Sequence, residues 1–122
     1  MVFLIEDDDA VRSFTRRTLI AREFRVIEAT SGPDALALWP QHAHEIDVVL
    51  TDLVMPGGLT GFDVASRLRE DKLGLCIVFT SGYSTELAEL NHVHQPCNFL
   101  PKPYTSAKLL AALNCDNSFS SE

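Results

Sequence analysis

The sequence has little positive charge. Its 122 residues include 10 lysine and arginine residues against 17 aspartate and glutamate residues, which gives a formal net charge of −7. Nucleic acids and anionic membrane surfaces are bound through basic faces, so this balance argues against both as partners. Part of the negative charge is concentrated in the acidic run at residues 6–9.

Long apolar runs are also lacking. No stretch approaches the ~20 residues that a membrane-spanning helix requires. The opening segment, MVFLIEDDD, has an apolar part too short for a secretory signal peptide and no positive charge before it. We therefore expect a cytoplasmic domain without direct membrane contact, while a membrane-anchored parent protein stays open.

Cysteine is scarce. Cys76, Cys97 and Cys115 are odd in number, widely spaced and without a CxxC pair. This usage is typical of buried, reduced thiols in a cytosolic protein and not of a disulfide framework.

The histidines do not form a recognisable metal site. Neither His42-x-His44 nor His92-x-His94-x-x-Cys97 has a usual zinc-ligand spacing, so we interpret these as surface histidines. A phosphate-binding loop of the form GxxxxGK[ST] is also absent.

Strand-like apolar runs alternate with helical patterns along the chain, which is long enough for one domain. The predicted strands are residues 2–6, 24–29, 46–51, 75–79 and 98–100. The predicted helices are residues 10–22, 32–41, 62–72, 85–92 and 106–113, with Asp9 as the N-cap of the first. Residues 1–114 are predicted to form the domain, and 115–122 a polar, disordered tail.

Five strand-then-helix units predict a parallel sheet with helices on both faces. Ligands of such sheets bind outside the carboxyl ends of the strands. Polar groups follow four of the apolar runs: Asp7, Asp52, Thr80 and Lys102. We expect these four side chains to share one crevice.

The chemistry of that crevice suits a divalent cation and a phosphoryl group. Asp7, Asp52 and nearby Glu6 would repel one another unless a cation lay among them, and Mg²⁺ prefers carboxylate, water and phosphate oxygens. A phosphoryl group on Asp52 would give Lys102 an anion to neutralise and Thr80 a hydrogen-bond acceptor.

The motifs EDDDAVR, LTDLVMPGG, FTSGYS and FLPKPY together resemble those of response regulator receiver domains. The resemblance runs from about residue 2 to 113 and is closest to receivers of hybrid sensor histidine kinases. It implies a flavodoxin-like (CheY-like) fold with strand order 2-1-3-4-5 and five helices. It also implies a histidine kinase or histidine phosphotransfer domain as partner.

The resemblance assigns a role to each site residue. Asp52 is the expected phosphoacceptor, and Lys102 contacts the phosphoryl group. Mg²⁺ (or Mn²⁺) is bound by Asp7 and Asp52, by the backbone carbonyl of Val54, and by Glu6 through water. The isolated domain would transfer and hydrolyse only its own phosphoryl group.

The resemblance further implies a switch, in which Thr80 turns inward on phosphorylation and Phe99 moves with it. A cis peptide is expected at Lys102–Pro103, since cis bonds are largely confined to X-Pro. Glu6 stands where the family more often has aspartate, and Phe99 lacks the hydroxyl of a tyrosine. A homodimer through the fourth and fifth predicted helices and the fifth strand stays open.

Ordinary explanations exist for each residue alone. Asp52 is a common residue type where a strand ends, and Lys102 between two prolines could be an exposed lysine on a turn. Four motifs in register favour the functional interpretation. The competing functions are a stand-alone single-domain regulator, an aspartate-nucleophile phosphatase, a flavin-binding module, and a degenerate receiver that serves only as an interaction surface.

Overall fold

The computed structural model describes the backbone of residues 1–55, 57–81 and 97–120. Its strands are β1 (Val2–Ile5), β2 (Val26–Ala29), β3 (Val48–Asp52), β4 (Cys76–Ser81) and β5 (Cys97–Pro101). Its helices are α1 (Asp9–Ala21), α2 (Gly32–His42), α3 (Gly61–Asp71) and α4 (Ser106–Ser120). The helix predicted at residues 85–92 lies outside the described residues, as does part of the proposed dimer face.

All five strands form one parallel sheet in the order β2-β1-β3-β4-β5, which confirms the predicted topology. Residues of β1 and β3 are buried along their whole length, as expected for central strands covered on both faces. Within the described residues, no helix is long and apolar enough to cross a membrane.

The core is divided by the sheet into two clusters. One face packs against α2 and α3 through Trp39 and Leu68, and the other packs against α1 and α4 through Leu19 and Leu109. Because both layers hold the sheet, the carboxyl ends of its strands are fixed relative to one another.

The start of α1 differs from the prediction by one residue. Asp8, not Asp9, is the N-cap: its backbone is extended, and its carboxylate accepts a hydrogen bond from Val11 N at 3.0 Å. Asp9 already belongs to the helix and pairs with Arg12. Two adjacent aspartates are equally suited to capping, so only the backbone conformation decides between them.

The end of α4 also differs. The sequence predicted a helix ending at residue 113 followed by a disordered tail, whereas the helix continues to Ser120. No glycine or proline interrupts residues 114–120, and extending an existing helix adds one backbone hydrogen bond per residue without a new nucleation cost.

Candidate functional site

The predicted site residues gather at the carboxyl edge of the sheet. Glu6 follows β1, Asp52 is the last residue of β3, and Lys102 follows β5. Thr80 of β4 is the direct register partner of Asp52. Side chains of paired residues in parallel strands lie on the same face, so Thr80 lies beside Asp52.

Lys102 links two buried carboxylates. Its Nζ lies 2.9 Å from Glu6 Oε1 and 3.0 Å from Asp52 Oδ2. Burial lowers the pKa of Lys102, but its hydrogen bonds to Glu6 and Asp52 more than compensate and raise it above the ordinary value. The ammonium therefore stays charged and partly neutralises both acids.

Glu6, Asp7 and Asp52 form an acid trio. One carboxylate oxygen from each lies within 4.8 Å of the others. Burial raises the pKa of both Glu6 and Asp52, although Lys102 opposes that shift by its hydrogen bonds. Three clustered hard oxygen donors with one exposed member fit a Mg²⁺ or Mn²⁺ ion, which takes carboxylates and keeps several waters.

The Thr80 hydroxyl is a buried polar group without a partner. Thr80 is 2% exposed, and no group in residues 1–55, 57–81 and 97–120 hydrogen-bonds to its Oγ1. A buried hydroxyl without a hydrogen bond costs stability. Because this hydroxyl lies beside Asp52, a group attached to the Asp52 carboxylate would supply it with a hydrogen-bond acceptor.

The backbone of Asp52 is packed tightly against the start of α3. Gly61 N donates a hydrogen bond to Leu53 O at 2.9 Å. A Cβ at Gly61 would lie only 2.4 Å from Asp52 O, so only glycine fits there without a shift. Thr60 caps α3 in a capping box with Asp63, which holds this helix end in place.

Two other predicted residues lie near the site. Val54, whose carbonyl was expected to bind the cation, lies two residues beyond Asp52 and is 54% exposed. Phe99 of β5 is half-buried against the α2–α3 cluster. The Lys102–Pro103 peptide bond is cis, as predicted.

Of the four histidines, His44 is exposed beside Glu45, as expected for a surface residue. His42 is half-buried at the end of α2. His92 and His94 lie outside the described residues.

Sequence reasoning missed two contributors. The side chain of Arg12 is only 17% exposed, and its Nη1 donates to Glu6 O at 2.9 Å. Tyr104 binds α1 through its hydroxyl, 2.7 Å from Thr15 Oγ1. Both residues belong to motifs already noted, EDDDAVR and FLPKPY, so motif membership was the available signal.

A cavity of about 530 Å³ adjoins the site. It is lined by Ala10, Val11, Phe14, Lys102, Pro103 and Tyr104. Lys102 lines this cavity and also pairs with Asp52, so the cavity lies beside the ion pair.

Residues 2–114 match the family model described as response regulator receiver domain. The chain is 36% identical over 109 residues to the sensor kinase CckA of Brucella abortus, covering 88% of the chain and 11% of that protein. It is 36% identical over 94 residues to the virulence sensor protein BvgS of Bordetella pertussis, covering 72% of the chain and 7% of that protein.

Among solved structures, the chain resembles the receiver domain of the hybrid histidine kinase CckA. The TM-score is 0.80 at 31% identity, with 94% of this chain and 96% of that chain covered. A receiver protein from Sinorhizobium medicae gives a TM-score of 0.84 at 29% identity, with 96% and 93% covered.

Proposed function

The chain belongs to the family of response regulator receiver domains, which act in two-component signal transduction, and we propose that its phosphoacceptor is Asp52. The phosphoryl donor is a phosphohistidine on a histidine kinase or phosphotransfer domain. The observation that carries this proposal is the ammonium of Lys102, 3.0 Å from Asp52 Oδ2 and 2.9 Å from Glu6 Oε1.

In the proposed transfer, a carboxylate oxygen of Asp52 attacks the phosphorus atom of the donor. The phosphorus–nitrogen bond breaks, and its electron pair returns to the imidazole nitrogen. The product is an acyl phosphate on Asp52. Lys102 neutralises its oxygens, and Thr80 donates its unused hydroxyl hydrogen to one of them.

Receiver domains bind Mg²⁺ through an acidic pocket, and the acid trio suits this role. We assign Asp7, Asp52 and the carbonyl of Val54 as direct ligands. Glu6 would act through water, because its carboxylate already accepts hydrogen bonds from Lys102 and Asp8 N. The bound cation, Mg²⁺ or Mn²⁺, supplies positive charge that offsets the charge of the phosphoryl oxygens.

The proposed switch begins at Thr80. A hydrogen bond from its hydroxyl to the phosphoryl group would draw the end of β4 toward Asp52. Phe99 lacks a hydroxyl, so any movement of its ring is driven by packing against the α2–α3 cluster. The surface that changes on phosphorylation would be that of the helix predicted at residues 85–92, which lies outside the described residues.

We propose that the donor docks in the cavity beside the site. Phe14 and Tyr104 line this cavity, with their ring centroids 6.3 Å apart. These aromatic rings favour the binding of a donor helix through an apolar face. Because Lys102 also lines the cavity, a histidine carried on that helix would face the phosphoacceptor.

The wider context is proposed from the relatives. The two sensor proteins are much longer than this chain, so it would act as the receiver of a cytoplasmic hybrid kinase region, with a stand-alone regulator as the alternative. A phosphorelay assay separates them. A hybrid receiver takes phosphate fastest from the kinase encoded in its own reading frame, and a free regulator takes it from a separate kinase.

Incubation with acetyl phosphate and Mg²⁺, followed by intact-mass measurement, tests the phosphoacceptor. We expect one phosphoryl group on the wild type and on Glu70→Gln, an exposed acid on α3, and none on Asp52→Asn. Labelling retained in Asp52→Asn would overturn the assignment. Sustained turnover of small phosphoesters would instead favour the phosphatase.

A further inference from the structure

Arg12 contacts three separate parts of the chain. Its Nη1 donates to Glu6 O, just after β1, at 2.9 Å. Its Nε lies 3.3 Å from Glu28 Oε1 on β2, and its Nη2 pairs with the Asp9 carboxylate at the start of α1. One guanidinium therefore joins the ends of β1 and β2 to the first turn of α1.

These contacts hold the peptide next to Asp7. The Glu6 carboxylate is fixed by Lys102 and by Asp8 N, and the Glu6 carbonyl is fixed by Arg12. Within the part of the chain that the structure describes, no hydrogen bond or ion pair holds the carboxylate of Asp7. The orientation of the Asp7 carboxylate is therefore set by the backbone of Asp7.

We propose that Arg12 is a positioning residue of the acid trio. By holding the Glu6 carbonyl, it orients the peptide that carries Asp7 and so increases the affinity of the trio for a divalent cation. This inference rests on the proposed function only in taking the acid trio as the cation site. It does not require Asp52 to be phosphorylated.

The geometry favours arginine over lysine. A planar guanidinium presents donors in several fixed directions and can bind a carbonyl and two carboxylates together, whereas a lysine ammonium is a compact charge at the end of a flexible stem. Groups that hold a metal ligand in place typically change metal affinity by about 10-fold to 100-fold when they are removed.

Charge alone predicts the opposite result. Arg12 brings a positive charge close to a cation site, so a purely electrostatic role would make cation binding tighter once that charge is removed. A positioning role makes binding weaker. The direction of the change therefore separates the two explanations.

Arg16 is the matched control. It lies one helical turn further along α1, carries the same charge, and its Nε is 3.3 Å from Glu28 Oε2. Like Arg12 it binds Glu28, but the described structure places no hydrogen bond between Arg16 and Glu6. Replacing Arg16 removes a charge and an ion pair but leaves the hydrogen bond between Arg12 and the Glu6 carbonyl in place.

Isothermal titration with MgCl₂ tests the proposal on Arg12→Gln, Arg12→Lys and Arg16→Gln. We expect the Mg²⁺ dissociation constant of Arg12→Gln to rise about tenfold, with a smaller rise in Arg12→Lys and less than about a twofold change in Arg16→Gln. An unchanged or tighter affinity in Arg12→Gln, or equal losses in the Arg12→Gln and Arg16→Gln variants, would overturn it.

A second measurement excludes a general loss of structure. Saturating Mg²⁺ should restore beryllofluoride binding in Arg12→Gln to the wild-type level, because only the cation step is impaired. A defect that persists at saturation overturns the inference, and Arg12→Lys provides the same test if Arg12→Gln does not fold. A wild type that binds Mg²⁺ but is not labelled on Asp52 would instead refute the proposed phosphoacceptor.

Discussion

At the scale of single residues, the hydroxyl groups of Thr80 and Thr15 are in opposite situations. Thr80 Oγ1 is buried without a partner in the described residues, whereas Thr15 Oγ1 is buried and bonded to Tyr104. Removing a paired hydroxyl loses a hydrogen bond, while removing an unpaired one relieves a desolvation cost. The two threonines should therefore respond differently to the same change.

Thr80→Val should leave the free energy of unfolding unchanged or higher, because the lost hydroxyl has no partner to leave behind. Thr15→Val should lower it by about 1 kcal/mol. Urea unfolding measures both. With beryllofluoride the order reverses: Thr80→Val should weaken binding by about 1 kcal/mol, and Thr15→Val should not. A stability loss in Thr80→Val would show that its hydroxyl is bonded in the unphosphorylated protein.

Tyr104 gives a prediction that depends on pH. Burial raises the pKa of its phenol above the ordinary value of 10.0, although the hydrogen bond to Thr15 opposes this. The folded protein therefore keeps this proton to higher pH than the unfolded chain does, so stability falls as pH rises through and above 10.0.

Tyr104→Phe should lose about 1 kcal/mol at neutral pH, because the hydrogen bond to Thr15 is gone. The difference from wild type should then shrink as pH rises above the ordinary tyrosine pKa. Paired denaturant titrations at neutral and alkaline pH measure this, and other lysines and tyrosines cancel in the comparison. A constant difference across that range would contradict the role of burial.

At the scale of elements, α3 supports the site from both of its ends. Its first residue, Gly61, touches the backbone of Asp52. At its last turn, Asp71 accepts a hydrogen bond from Trp39 Nε1 at 2.9 Å. The following Lys72 donates to the carbonyls of Ala43, at 3.0 Å, and Ile46. The helix is held at one end, so its other end stays against the backbone of Asp52.

Gly61→Ala should displace the backbone of Asp52, because the new Cβ would lie 2.4 Å from Asp52 O. We expect a loss of about 1–3 kcal/mol in stability, typical of overpacking, together with weaker Mg²⁺ binding. Gly74→Ala is the control: its φ of +80° is strained for alanine, but nothing lies within 4 Å. That variant should lose stability without losing Mg²⁺ affinity, and equal effects on affinity would contradict the close-contact argument.

At the scale of the whole molecule, the acid trio links cation binding to folding. The unfolded chain separates Asp7 from Asp52, so Mg²⁺ bound at the proposed cation site would bind the folded state preferentially. Mg²⁺ at 100 times its dissociation constant should stabilise the protein by about 2.7 kcal/mol. Thermal unfolding measures this shift against KCl at matched ionic strength.

Asp7→Asn provides the matched variant for that measurement. Asp7 is the exposed member of the trio, so its replacement should cost little stability without Mg²⁺ and should abolish most of the Mg²⁺-dependent shift. An undiminished shift in this variant would place the cation elsewhere.

Much of the molecule follows from local sequence patterns. Alternating apolar runs and helical periodicities predict a parallel sheet with helices on both faces, and the residues after each run predict the edge at which the site forms. The strand order was implied by the resemblance to receiver domains. These features are readable because backbone period and side-chain burial are properties of short segments. The helix at residues 85–92 and the movement of Phe99 with Thr80 remain predictions.

Which side chains pair with one another, in contrast, was decided only by the tertiary structure. Arg12 turns inward because Glu28, on a different strand, and the Glu6 carbonyl lie within its reach. Tyr104 and Thr15 are 89 positions apart in sequence yet share a hydrogen bond. Such contacts depend on how separate elements pack against each other. Short-range sequence patterns carry no information about contacts between residues that are far apart in the sequence.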